Sequence, residues 1–411
     1  MTMTKKNIIY SDVVRHFQCL GAECEDTCCQ GWGMQVDQNR KELYANNAPE
    51  LLEAVVAGEA ELVMKRNVLT GFCVKFEDGL CGIHKQYGTD FLGDACHFFP
   101  RIVRKFGNTI TVSAALSCPE IARIALLEKQ NPVATAPSLE RLPHSLKDYL
   151  PEGVSSEDCF SVMENFLQLC SDADLTSGDI IARIFTVSKS LKNISITNWK
   201  DASKFLIKTA DARLHAPRYN AIAPYQLFHA LVTIVSAAKP YQRPRLMALM
   251  QTMEKALDVE VNWENQLITG SNNRLSAYNS LIQQMDNTAH MQMEHIMRQW
   301  LAMQLSMASY PFSGFGKTLE DKALLLSFRF TIVRLALLCH TVRGAFPDDD
   351  TVIYVVQTLS RFLDHLADPT LSLTLCHELG WVQEANLMGL LMQPYTLRAK
   401  NHDKIKKCTA E

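Results

Sequence analysis

Eight of the 13 cysteines in this 411-residue chain, Cys19, Cys24, Cys28, Cys29, Cys73, Cys81, Cys96 and Cys118, lie in its first 118 residues. Where those thiols reside decides what they are for. Met1 to Tyr10 carries Lys5 and Lys6 with no apolar stretch behind them, so the start does not read as a signal peptide. The long apolar run Ala323 to His340 is broken by Arg329 and Arg334, which are costly in lipid, so no membrane partner is expected. These features predict a cytoplasmic protein. In a reducing compartment the cysteines are metal ligands, catalytic thiols or buried apolar fillers rather than a disulfide framework.

Length sets a prior of two to three domains. With 47% hydrophobic and 21% charged residues, the composition is that of an ordinary globular chain. The net charge of -3 argues against a strongly basic nucleic-acid binder.

Asn131 to Pro151 carries Pro132, Pro137, Pro143 and Pro151 among small and polar residues, which resist helix and strand alike. The expected division is a cysteine-rich domain over residues 1–130, a Pro-rich linker over 131–151 and a helical domain over 152–411. The fold class expected is mainly α, a small mixed α+β metal-cluster domain followed by an all-α domain.

Within the first part, Gly71 to Gly82 holds short runs on either side of Asp78-Gly79, a type I′ turn signal that predicts a hairpin. A strand is expected over Phe106 to Ala114, and helices over Glu42 to Val56 and Pro119 to Leu127, where Pro suits a first turn. In the second part, Ser155 with Asp158 and Thr176 with Asp179 stand at capping-box spacing ahead of apolar stripes. Further stripes run through Leu326, Phe330, Val333 and Leu337, and through Ile353, Val356, Leu359, Leu363 and Leu366.

Cys24-Glu-Asp-Thr-Cys28-Cys29 places three thiols within six residues, five residues after Cys19. Thiolates are soft ligands suited to zinc or iron-sulfur clusters, and a short loop supplies several at little loop-closure cost. Cys73 and Cys81 flank the hairpin, Cys96 stands in Asp94-Ala-Cys-His-Phe-Phe-Pro100, and Cys118 precedes Pro119. Six of the eight neighbour Gly, Pro or turn residues rather than apolar helical stripes, which favours metal over buried filler. The spacing matches neither a zinc finger nor a ferredoxin, and eight thiols exceed one tetrahedral site. Adjacent Cys28 and Cys29 point apart, so some of the eight are spare. A catalytic thiol would need a His base, for which Cys96-His97 and Cys118 give no signal. His16, His84 and His97 are alternative ligands or hydrogen-bonded structural residues.

These same residues resemble the flagellin lysine N-methylase family, which shares its cysteine pattern with a wider group of zinc- or iron-chelating proteins. The resemblance is carried by Cys19, Cys24 to Trp32 with Asp37, the Phe72-Cys73 to His84 hairpin, Leu92 to Cys96 with Phe99-Pro-Arg101, and Leu116 to Glu120. It covers about residues 8 to 125. It implies methyl transfer from S-adenosylmethionine to surface lysine ε-amines of flagellin, before export, and it favours a 4Fe-4S cluster over zinc. No glycine-rich dinucleotide turn accompanies it, since Gly31-Trp-Gly33 lacks the third glycine and Gly314-Phe-Gly316 reads as loop. Cys24-xxx-Cys28-Cys29 also lacks the CxxxCxxC spacing of a radical enzyme.

No catalytic or S-adenosylmethionine-binding residue follows from these motifs. Asp26, Asp37, Tyr87, Asp94 and Arg101 lie in or beside them, each equally able to cap a helix or orient a ligand. The rival reading is a non-enzymatic metal-binding or redox-sensing adaptor. Ser313 to Thr318 ends like a phosphate-binding loop but has Pro311 where the opening glycine belongs. The methionines from Met285 to Met307 read as core filler, as do Cys159, Cys170, Cys339 and Cys376, whereas Cys408 sits in a charged tail.

Overall fold

In the computed structural model, residues 7–58, 61–127, 139, 141–209, 222–238, 243–270, 274–364, 366, 368–383 and 386–387 are described. Residues 131–138 and 140 of the expected linker, and Cys408, lie outside them. The chain forms two compact units, the first comprising residues 1–150, 239–247 and 356–365, the second the remainder.

The first unit contains β1 (Asn7–Tyr10), α1 (Asp12–His16), β2 (Gln35–Val36), α2 (Gln38–Asn47), β3 (Val55–Ala57) and β4 (Leu62–Met64). These are followed by β5 (Phe76–Glu77), β6 (Leu80–Cys81), α3 (Gly82–Tyr87), α4 (Asp94–Phe98), β7 (Arg101–Phe106), β8 (Thr109–Ala114) and α5 (Pro119–Leu127). One sheet has the order β1-β8-β7, with β1 parallel to β8, and another the order β2-β4-β3. The β5–β6 hairpin turns through Asp78 and Gly79, both at positive φ (52° and 79°), as a type I′ turn requires.

Two expectations change here. The helix expected over Glu42 to Val56 starts earlier, where Asp37 accepts from Arg40 N at 3.0 Å, and stops at Asn47. Pro49 then opens a 3-10 turn and Val55 enters a strand, because proline cannot continue the hydrogen-bond ladder. The strand expected from Phe106 is a hairpin. Gly107, at φ +61°, turns the chain between β7 and β8.

The second unit contains α6 (Ser156–Ser171), α7 (Ser177–Leu191), α8 (Trp199–Thr209) and α9 (Ala223–Ala237). Next in the chain come α10 (Pro244–Leu257), β9 (Val259–Asn262), β10 (Leu267–Gly270), α11 (Arg274–Gln284), α12 (Asn287–Ala308) and α13 (Leu319–Cys339). Last are α14 (Asp349–Leu363) and α15 (Thr370–Glu378). The first turn of α10 and the last turns of α14 belong to the first unit. The capping signals are realised: Ser155 accepts from Asp158 N, and Thr176 and Asp179 form a reciprocal capping box, as do Thr318 and Asp321. Helix α13 is buried from Ala323 to Cys339, as expected of a helix apolar on all sides, and its Arg329 lies 3.6 Å over the Phe315 ring. No helix among the described residues is long and apolar enough to cross a membrane.

This unit is not all-α. Val259 to Asn262 and Leu267 to Gly270 pair as an antiparallel hairpin, closed where Asn262 Oδ1 accepts from Glu264 N and Asn265 N. Alternating β-branched residues and an Asx turn carried this local preference, submerged in helical surroundings.

Candidate functional site

Four of the eight N-terminal cysteines belong to one core in the first unit, Cys29 and Cys73 buried within it, Cys81 and Cys96 packed against it. The other members include Met34, Val36, Tyr44, Leu51, Met64 and Ile83. Backbone pairing brings two distant segments together here, with Cys73 N donating to Cys29 O at 2.8 Å and Gly31 N to Gly71 O at 3.2 Å. The turn entering this segment is fixed by Thr27 N on Asp26 Oδ1 (2.8 Å) and Cys29 N on Thr27 Oγ1 (3.1 Å). Trp32 Nε1 then donates to Cys28 O at 2.7 Å.

The thiols of Cys28, Cys29 and Cys81 are near enough to titrate together. The proximity of Cys29 draws the Cys28 thiol down to about 7 and the Cys81 thiol to about 6, while Cys29 itself is driven up. The Cys81 and Cys28 charges reach Cys73 and Cys96, whose thiols burial already pushes up. Cys28, Cys29, Cys73, Cys81 and Cys96 therefore form one group.

Cys19, Cys24 and Cys118 form another. Cys118, buried ahead of α5, is pushed up to about 12 by desolvation and feels Cys24 and Cys19. Arg123 on α5 holds Glu25 at 2.6 Å, which keeps the Cys24 segment beside that helix.

Among the described residues, no three or more His, Cys, Asp or Glu side chains are arranged to close around a metal ion. The donor chemistry of the larger group nonetheless suits a thiolate-bound centre, since Cys29, Cys73, Cys81 and Cys96 share one apolar core, the exposed Cys28 adjoins it, and Cys28 and Cys81 are drawn toward the thiolate form.

The polar residues of the motifs have separate tasks. Asp37 caps α2, Tyr87 donates to Glu50, and Arg101 donates to His97 O at 2.7 Å. Asp94 accepts from His144 N at 2.5 Å and pairs with Arg141 at 3.3 Å. Asp26 differs. Its carboxylate, 6% exposed, accepts from Arg361 Nη1 at 2.5 Å and Gln357 Nε2 at 2.7 Å. Gln357 also donates to Ser117 O at 3.1 Å, and Arg361 to Gln30 O. Arg243 and Arg245 reach the same loop at Gly31 O and Glu25 O. Sequence reasoning missed these four. A signal existed in Gln357 and Arg361, a polar pair at i, i+4 beside the apolar stripe of Ile353, Val356, Leu359 and Leu363.

The first unit is thus a small cysteine-rich α+β module, accompanied by a mainly helical unit. The profile of the FliB lysine N-methylase C-terminal domain matches residues 164–373, and the chain belongs to that family. It is 28% identical over 159 residues to the flagellar biosynthetic protein FliU of Salmonella muenchen, covering 36% of this chain and 94% of that protein. It is 30% identical over 118 residues to a lysine-N-methylase of Salmonella choleraesuis, and 29% identical over 118 residues to one of Salmonella typhimurium. Each of those matches covers 26% of this chain and only 29% of the methylase. No solved structure matches.

Proposed function

We propose that this protein is an S-adenosylmethionine-dependent lysine N-methyltransferase that acts in the cytoplasm on flagellin. Membership of the lysine N-methylase family carries this reading, and the flagellar name of one relative supports the substrate. In the reaction a neutral lysine Nζ attacks the sulfonium methyl group. The carbon-sulfur bond breaks to leave S-adenosylhomocysteine, and the Nζ proton passes to a carboxylate, a tyrosine or water.

The thiol group would hold a metal centre, a 4Fe-4S cluster in preference to zinc, through Cys73, Cys81, Cys96 and one of the adjacent pair Cys28 and Cys29. Such a centre, when bound, supplies a cross-link among loops that are otherwise joined only by short hydrogen-bonded segments. Polar methyl transfer needs no radical, so this role is structural.

The test is incubation of anaerobically purified protein with methyl-labelled S-adenosylmethionine and flagellin, followed by mass spectrometry of flagellin lysines. Methyl-lysine is expected. Full metal content with no label transferred and no S-adenosylmethionine bound would refute the reading.

A further inference from the structure

A cleft in the first unit, beside the Cys28–Cys29 turn, is lined by Asp26, Gly31, Arg243, Arg245, Arg361 and Phe362 among others. It encloses about 40 Å³ of space. That is room for roughly three waters, or for the carboxylate that would displace them, and too little for a nucleoside.

Three guanidinium groups face this space against one carboxylate. Asp26 is committed to Arg361, with Arg245 Nε at 3.8 Å. Arg243 is left with a neutral acceptor, Gly31 O at 3.1 Å, and lies 5.3 Å over the Phe362 ring. The charged groups that reach it are Arg361 and Arg66, both of its own sign. Among the described residues no carboxylate pairs with it. An anion bound here would supply the opposite charge that these groups do not.

Helix α10 strengthens the case, because it begins at Pro244 and its first residues, Pro244, Arg245 and Leu246, line the cleft. Arg243 stands just ahead of the helix and Arg245 in its first turn. Both oppose the positive end of the helix dipole, where Ser, Asp or a bound anion is the usual occupant.

We infer that this cleft binds the α-carboxylate of the methyl donor, with Arg243 as its principal contact. The inference rests on the methyl-transfer reading. The only anionic group of S-adenosylmethionine is that carboxylate, which is of a size to enter the cleft and is suited to the guanidinium fork, while the α-ammonium, sulfonium and adenosine stay outside it.

Calorimetry on the full-length, anaerobically purified protein tests it with S-adenosylmethionine and its decarboxylated analogue, which keeps the sulfonium and the adenosine. The wild type should bind the analogue at least about tenfold more weakly. Arg243→Gln should weaken S-adenosylmethionine by a similar factor and leave the analogue unchanged, which also shows that the variant is folded. Arg243→Lys should fall between. Equal affinity of the wild type for both donors, an unchanged Arg243→Gln, or equal loss of both donors in that variant would overturn the inference. In each of those cases labelled flagellin would still uphold the methyl-transfer reading. A wild type that binds neither donor overturns both.

Discussion

Arg361, near the end of α14, closes on Asp26, two residues ahead of the Cys28–Cys29 pair, at 2.5 Å. Their side chains are 15% and 6% exposed. Neither charge is well solvated, so each depends on the other, and the pairing ties the thiol-bearing loop to a segment more than 300 residues away.

Removing one member should leave an uncompensated charge. Arg361→Ala is expected to cost roughly 3 kcal/mol, the scale of a broken buried pair. Asp26→Asn combined with Arg361→Met should cost clearly less than the two single changes summed. Urea denaturation followed by near-UV circular dichroism measures both, and additive losses would show that the pair is not coupled.

The division of the cysteines predicts unequal consequences for metal content. Cys73→Ser, Cys81→Ser and Cys96→Ser should each lower iron plus zinc per chain several-fold after anaerobic purification. Cys19→Ser should leave the metal content unchanged, because that residue stands in the other group. Elemental analysis of the four variants decides the matter, and loss in Cys19→Ser alone would reverse the assignment.

Helix caps in the second unit offer a cleaner energetic test. Thr176 Oγ1 accepts from Asp179 N at 3.1 Å while Asp179 accepts from Thr176 N at 3.0 Å. Thr176→Ala should therefore destabilise the unit by about 1 kcal/mol. Thermal unfolding against wild type reads this out, and an unchanged midpoint would mean that tertiary packing alone fixes α7.

His340 should make stability depend on pH. Burial depresses its pKa, although Ala336 O, 2.7 Å from Nδ1, and its place at the end of α13 both favour the charged form. The unfolded chain therefore takes up the proton more readily. This contribution is whole above the unfolded value of about 6.5 and is lost as pH falls through it toward the folded value. His340→Gln should flatten the slope of denaturation midpoint against pH between about 7 and 5. An identical slope in the variant would assign it to other groups.

Much of this fold could be read where local chemistry is decisive. Asp78-Gly79 and the caps at Ser155 and Thr176 act within three residues of themselves, so neighbours in the text settle them. The region around Pro49 was harder, because Leu51, Leu52, Val55 and Val56 fit a helical stripe and a buried strand equally well. Strand β7 was hidden by its charges, one of which, Arg104, lies 5.8 Å over the Tyr149 ring. At the site the thiols were visible from their spacing. Their sorting into two groups was not, since it follows from which backbone segments pair, and the partners of Asp26 stand beyond any local window.

The first unit is completed by residues 239–247 and 356–365. A ribosome that has finished residue 150 has therefore delivered all eight N-terminal thiols but neither the guanidinium that neutralises Asp26 nor the amide that bridges it to Ser117. The cysteine-bearing loops must wait, reduced and unsealed, until almost the whole polypeptide has emerged. The first unit therefore closes only once a nearly full-length chain has been made.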